Sequence, residues 1–183
     1  MSLLAAGRNP ADAARPASAS QQRFEAFFRR HEREVFGYLW RLTGDEQAAY
    51  DLSQETFLRA WQRFAAISAY EQPGAWLFRV ATNLAINDRR ARNRPARATS
   101  QLDDTLVGGT DPAQRLGMRD AVRRALLAVA PRQRAALVLC EVYGLSCEEV
   151  AETLGTSSGA AKAILWRGRE AFREQYLREE GRA

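Results

Sequence analysis

The chain has 183 residues, enough for one domain or two small ones, and its 27 Lys and Arg against 22 Asp and Glu leave a formal charge of +5. That balance suits an acidic partner such as nucleic acid, although Lys162 is the only lysine and an Arg- and Ala-rich chain can also reflect genome base composition. Two cysteines and one histidine argue against a disulfide framework or a metal site, and no apolar run approaches the ~18 residues of a membrane span.

Residues 1–20, rich in Ala, Arg, Ser and Pro, read as a disordered lead-in. The "SLLAAG" within them is too short for a signal-peptide core, so a cytoplasmic chain with reduced cysteines is expected. From residue 21 the spacing predicts helix. Phe24, Phe27, Phe28, His31, Val35, Tyr38, Leu39 and Leu42 follow the 3.6-residue period. His31 falls on that apolar side, where a core or boundary role is expected.

Gly44 stops the helix and Asp45 caps the next, which runs to about Phe64. Within it, Asp51, Gln54, Glu55 and Leu58 share one face, beside an expected aromatic stripe of Tyr50, Phe57, Trp61 and Phe64. Such a carboxylate-and-amide face is unexpected in a chain that is otherwise basic. After the loop "AAISAYEQPG", Pro73 opens a third helix that reaches about Asn93 and ends before Pro95. Trp76, Leu77, Val80, Ala81 and Leu84 are its expected buried side. Arg79, Asn83, Ile86 and Arg90, with Asn87 adjacent, lie opposite.

Residues 95–111 have no period and are rich in turn formers, which predicts a linker. Charge supports this division: residues 21–97 carry net +4, residues 98–111 net −3 and residues 112–183 net +3. Two basic lobes are thus joined by an acidic segment. Helix resumes at Asp111-Pro112 with Val122, Ala125, Leu126 and Val129 on its apolar face. Pro131 opens another helix, expected to bury Ala135, Val138, Leu139 and Val142 and to stop near Gly144. No strand pattern competes, so the fold class is all-α, with two small helical lobes and a flexible acidic linker.

"LSCEEVAETLGTSSGAAKAILWRGREAF", residues 145–172, predicts a helix-turn-helix. Ser146 and Glu149 form a capping box, and Val150, Ala151 and Leu154 point inward. Gly155 turns the chain, and Thr156, Ser157 or Ser158 caps the longer second helix. Ala161, Leu165, Gly168 and Phe172 are its inner side. Lys162, Ala163, Trp166 and Arg173 lie opposite, flanked by Arg167 and Arg169. A tryptophan turned outward among cations favours DNA contact over a solvated face.

In their order, "RLTGD", "DLSQETFLRAW", "AWLFRVATNLAINDRRARNR" and "PRQRAALVLCEVYGLSCEEVAETLGTS" resemble the extracytoplasmic-function (ECF) group of bacterial RNA polymerase sigma factors, over about residues 22–178. The resemblance implies a region 2-like domain at 21–94, a linker at 95–111, a region 4-like domain at 112–178 and a tail at 179–183. It implies that Asp51, Gln54, Glu55 and Leu58 dock on a coiled coil of core RNA polymerase. It also implies that Tyr70, Arg79, Asn83, Asn87, Arg89 and Arg90 read and open the −10 element of promoter DNA. A flipped base would stack on Tyr70 and bond to Asn83, while Arg89, Arg90, Arg92, Arg94 and Arg97 hold phosphates. Asp103 and Asp104 would mimic RNA in the polymerase exit path. Ser158, Lys162, Ala163, Trp166 and Arg167 would face the −35 element. The chain departs from the family at Ala161, usually β-branched, and at Ile164, often a base. The implied partners are core polymerase, promoter DNA and an anti-sigma factor. An enzyme reading finds one histidine, no paired-carboxylate cleft and no Gly-rich phosphate loop. No cofactor, metal, membrane insertion or small-molecule substrate is expected.

Overall fold

The computed structural model describes residues 19–92 and 112–181, with side chains for 19–89 and 120–181. The expected linker and the side chains of Arg90, Arg92, Arg94 and Arg97 lie outside these residues, as does the lead-in except Ala19 and Ser20, which already belong to the first helix. The described residues are all-helical. In chain order they form α1 (Ala19–Thr43), α2 (Glu46–Gln62), the short α3 (Phe64–Ile67) and α4 (Pro73–Arg92). The second lobe follows with α5 (Pro112–Ala128), α6 (Pro131–Leu137) continued by a π-helical turn (Val138–Val142), α7 (Cys147–Leu154) and α8 (Ser158–Glu180).

The caps explain where these helices begin and end. Gly44 adopts φ +70°, letting its N–H reach the Trp40 carbonyl at 2.8 Å, and the Asp45 carboxylate then accepts from the Ala48 N–H at 3.0 Å. In the second lobe the Ser146 hydroxyl accepts from the Glu149 N–H at 3.2 Å while the Glu149 carboxylate accepts from the Ser146 N–H at 2.8 Å. Gly155 sits at φ +60°, and Ser157 is the residue that caps α8.

Gly44 and Gly144 share φ +70°, but a Cβ on Gly44 would lie 2.5 Å from a methyl of Leu127, whereas Gly144 has open space. Gly144→Ala should therefore cost about 1 kcal/mol from backbone strain alone. Gly44→Ala should cost more, because Leu127 must also move. Urea denaturation of the two variants tests this: equal losses would place no pressure on Leu127.

Several expected core positions are shifted. In α4 the buried residues are Leu77, Phe78, Ala81, Thr82 and Ala85, while Trp76, Val80 and Leu84 are only half-buried. Burial of a threonine is what periodicity missed, and its partner explains it. Thr82 donates to the Phe78 carbonyl at 2.6 Å, so the Tyr38 hydroxyl, 2.6 Å away, donates to Thr82. The aromatic stripe of α2 divides: Phe57 and Phe64 are buried, but Tyr50 and Trp61 are exposed. In α5 the small Ala121 faces inward and Val122 outward, matching the close packing of α5 on α8. Val142 is exposed because the π-helical turn, closed by the Tyr143 N–H on the Val138 carbonyl at 3.2 Å, breaks the 3.6-residue register. The same turn carries Tyr143 inward.

The two lobes share one continuous apolar core, from Val35, Tyr38, Leu39 and Phe78 in the first to Val129, Leu139, Val150 and Leu165 in the second. Tyr143 packs against the rings of Phe78 (4.9 Å) and Tyr38 (5.8 Å), and its hydroxyl donates to the Glu34 carbonyl at 2.8 Å. Burial pushes the Tyr143 phenol up to about 12. Arg134 is 1% exposed, and its guanidinium donates to the carbonyls of Leu42, Leu127 and Val129. One cation thus serves the C-terminal ends of α1 and α5, whose unpaired carbonyls concentrate negative partial charge.

Candidate functional site

Three surfaces carry the residues singled out from the sequence. On α2, Asp51, Gln54 and Leu58 are exposed and Glu55 is half-buried. Ser53, Thr56 and Phe57 on the opposite side are buried against the core, which fixes the outward face. Asp51 accepts from the Gln47 amide at 2.9 Å, and Glu55 pairs with Arg59 at 2.7 Å. Both partners are solvated and i,i+4 in spacing, so each interaction is weak and readily exchanged for an intermolecular one. Beside this face a groove of about 350 Å³ runs between α1 and α2, lined by Phe28, Phe36, Tyr50, Gln54 and Phe57. Polar and apolar anchors are therefore contiguous.

On α4, Arg79, Asn83 and Asn87 are exposed at i, i+4 and i+8, and Arg89 is half-buried. Tyr70, half exposed, stands in the loop between α3 and α4. It lines a cleft of about 550 Å³ together with Gln72, Trp76 and Arg79. Of the cleft's two aromatic walls, Tyr70 was singled out from the sequence and Trp76 was not. Trp76 was assigned to the buried side, yet it lies three residues before Arg79, on the same helical face, and that spacing was the available signal.

On α8, Lys162, Trp166, Arg167 and Arg173 are exposed, and Ser158 and Ala163 are half-buried. Trp166 is 64% exposed. The Ser158 hydroxyl donates to Glu148 at 3.0 Å, and the Lys162 ammonium lies 3.8 Å from the same carboxylate. The Glu148 carboxyl is held low first by its own backbone N–H and then by Ser158. Arg169 is committed elsewhere, pairing with Glu141 at 2.7 Å.

His31 is a boundary residue, its ring 4.9 Å from Phe27 and its Nδ1 3.2 Å from Glu34. Cys140 and Cys147 are free and half-buried; burial raises the Cys140 thiol, with Glu141 adding to the effect. Among the described residues no three His, Cys, Asp or Glu side chains are grouped to hold a metal ion.

Residues 27–95 match the family described as Sigma-70 region 2, and residues 119–172 match Sigma-70, region 4. The ECF RNA polymerase sigma factor SigE of Mycolicibacterium smegmatis is 34% identical over 164 residues, covering 85% of this chain and 62% of that protein. The chain thus spans about three fifths of that relative. SigL of Mycobacterium tuberculosis (strain H37Rv), also named an ECF RNA polymerase sigma factor, is 33% identical over 152 residues, covering 81% of this chain and 86% of SigL. The chain belongs to the ECF RNA polymerase sigma factor family.

A solved sigma factor, RpoE of Bartonella quintana in complex with the anti-sigma factor NepR, superposes with a TM-score of 0.70 at 22% identity. That match covers 84% of this chain and 96% of RpoE, and it establishes a shared fold. Against the sigma-factor pattern, the two departures in α8 have different surroundings. Ala161 is 1% exposed, while Ile164 is half-buried beside the core.

Proposed function

We propose that this chain binds core RNA polymerase and directs promoter-specific initiation by recognising −35 and −10 elements and opening promoter DNA. The observation that carries the reading is the opposed chemistry of two helices in one lobe. The Asp51–Gln54–Leu58 face of α2 suits a basic protein surface, whereas the Arg79–Asn83–Asn87 row of α4 suits nucleic acid. In this reading residues 21–94 dock on polymerase and open the −10 element. Residues 112–178 read the −35 element through Ser158, Lys162, Ala163, Trp166 and Arg167, and residues 95–111 connect the two.

Chemistry assigns the roles. Arg79, Arg89 and Arg90 supply phosphate contacts with strong salt dependence. Tyr70 offers a ring on which an unstacked base can lie, and the Asn83 amide offers a donor and an acceptor to its edge. Among the described residues no helix is long and apolar enough to cross a membrane. A cytoplasmic location and regulation by an anti-sigma factor complete the proposal.

Transcription in vitro with core polymerase on a promoter library tests it. Promoter-dependent transcripts are expected only when this chain is added. Tight, specific duplex binding by the isolated chain, with no transcript, would instead favour an ordinary operator-binding regulator. Within the same assay, Asn83→Ala should weaken −10 opening, read as permanganate reactivity of promoter thymines. The loss of one base contact is worth about 1–3 kcal/mol, and polymerase affinity should not change. Normal opening would move the base pocket elsewhere.

A further inference from the structure

The π-helical turn and the chain reversal after it carry Cys147 back beside Cys140. The Gly144 N–H bonds to the Cys140 carbonyl at 3.2 Å and the Leu145 N–H to the Leu139 carbonyl at 3.0 Å, with Gly144 at φ +70°. Two residues past that second bond, Cys147 opens α7. Both thiols are free, packed against the core and partly exposed.

A cation from α8 lies over the pair. The Arg169 guanidinium is 4.0 Å from the Cys140 sulfur, while it bonds to the Glu141 carboxylate through Nε at 2.9 Å and a terminal nitrogen at 2.7 Å. Arg169 is held above its usual value first by Glu141, with Cys140 and Cys147 both adding to the effect. Burial is the main cause that raises the Cys140 thiol; Glu141 adds to it, Arg169 opposes it, and Cys147 raises it further. The two sulfurs and the guanidinium, supplied by three successive elements, therefore act on one another.

We propose that Cys140 and Cys147 are a peroxide-oxidisable dithiol, positioned by Arg169, whose oxidised form is an intrachain disulfide tying the π-helical turn to the start of α7. One thiol, as its thiolate, attacks a peroxide oxygen. The O–O bond breaks, hydroxide leaves and takes up the released proton as water, and the sulfur is left as a sulfenic acid. The second thiol attacks that sulfur, forming the S–S bond as the S–O bond breaks and a second water departs. Two thiols thus lose two hydrogens while one hydrogen peroxide is reduced to two waters. The bond closes residues 140–147 into a ring around Gly144 and fixes where the first helix of the helix-turn-helix begins. Thiol reductants reverse it, as suits a chain whose cysteines are otherwise reduced. The inference does not depend on the roles proposed for the polymerase and promoter surfaces.

The test exposes the full chain to hydrogen peroxide, blocks the remaining thiols with iodoacetamide and reads the intact mass. A monomer lighter by two hydrogen atoms, with neither thiol alkylated, is expected, and dithiothreitol should restore both alkylation sites. Cys147→Ser should give no such species, its Cys140 sulfenic acid being trapped by dimedone instead. Arg169→Ala should slow disulfide formation roughly fivefold or more at neutral pH and move the pH–rate profile upward, because the cation that favours the thiolate is gone. Arg169→Lys should recover much of the rate. Arg178→Ala, an exposed position near the far end of the same helix, makes the same change in net charge and should alter the rate less than about twofold. Circular dichroism verifies that each variant is folded. Two thiols that stay alkylatable after peroxide, or disulfides formed only between chains, would overturn the dithiol. Equal rates for Arg169→Ala and Arg178→Ala would overturn the part assigned to Arg169.

Discussion

Asp51→Arg combined with Glu55→Arg should abolish promoter-directed transcription while the chain remains folded. Asp51 is exposed with one surface hydrogen bond from Gln47 and Glu55 makes a surface pair with Arg59, so the stability change should stay within about 0.5 kcal/mol. The effect on association is of a different order. Two carboxylates become two guanidinium groups on a face proposed to meet basic side chains, and like-charge juxtaposition at an interface costs several kcal/mol. A loss of several kcal/mol corresponds to more than about a hundredfold in affinity. Binding of fluorescently labelled core polymerase, with circular dichroism to verify folding, is the measurement. Unchanged polymerase affinity would sink the assignment of α2, whatever happened to transcription.

Arg134→Met should be the most destabilising single substitution predicted for the described residues, at about 2–4 kcal/mol by urea denaturation. Two opposing effects set this size. Burial makes the cation costly, pulling its pKa down to about 10, with the charge of Arg89 as a second cause. Methionine removes that cost. It also strips the donors from the carbonyls of Leu42, Leu127 and Val129, where the ends of α1 and α5 leave no intrahelical alternative for the last turn. Orphaned buried acceptors outweigh the recovered desolvation, because three are left while only one charge is removed. The Nε of Arg134 already lacks a partner, so the donors that matter are the two terminal nitrogens. Arg134→Lys keeps the charge but not the fork, and should fall between the wild type and methionine. A methionine variant as stable as the wild type would mean that the carbonyls find water or new partners.

Most element boundaries were legible because they rest on local chemistry, although α2 ends earlier than expected and the short α3, Phe64–Ile67, reaches into the expected loop. Gly44, Asp45, Pro73, Pro131, the Ser146–Glu149 box and Gly155 each act within a few residues of themselves, and each stands where the helices turn. The outward faces of α2 and α8 were legible for a related reason: charged and amide side chains recur there at helical spacing. Burial across the seam was not legible. Thr82 enters the core only because Tyr38, 44 residues earlier, supplies a donor, and Arg134 is buried by carbonyls from two other helices. Periodicity scores a residue by its own polarity and cannot register a partner supplied from a distant helix. Tyr143 was hidden by the π-helical turn, which carries it inward beside the buried Leu139 and turns the expected Val142 outward. The polymerase and promoter roles of named residues came from the resemblance and remain proposals that the transcription and opening assays test.

The turn between α7 and α8 is set by local features outside the exposed face of α8: a left-handed Gly155, the Ser157 side-chain cap and the Ser146–Glu149 box two turns earlier. The angle at which α8 leaves the lobe therefore does not depend on the side chains it presents. Lys162, Trp166 and Arg167 are exposed, and substitutions at such positions away from caps and core usually change stability by less than about 0.5 kcal/mol. The fold thus separates heritable scaffold from variable reading head. A lineage could exchange those three side chains and address a new set of target sites, while the machinery that holds the helix in place went unaltered.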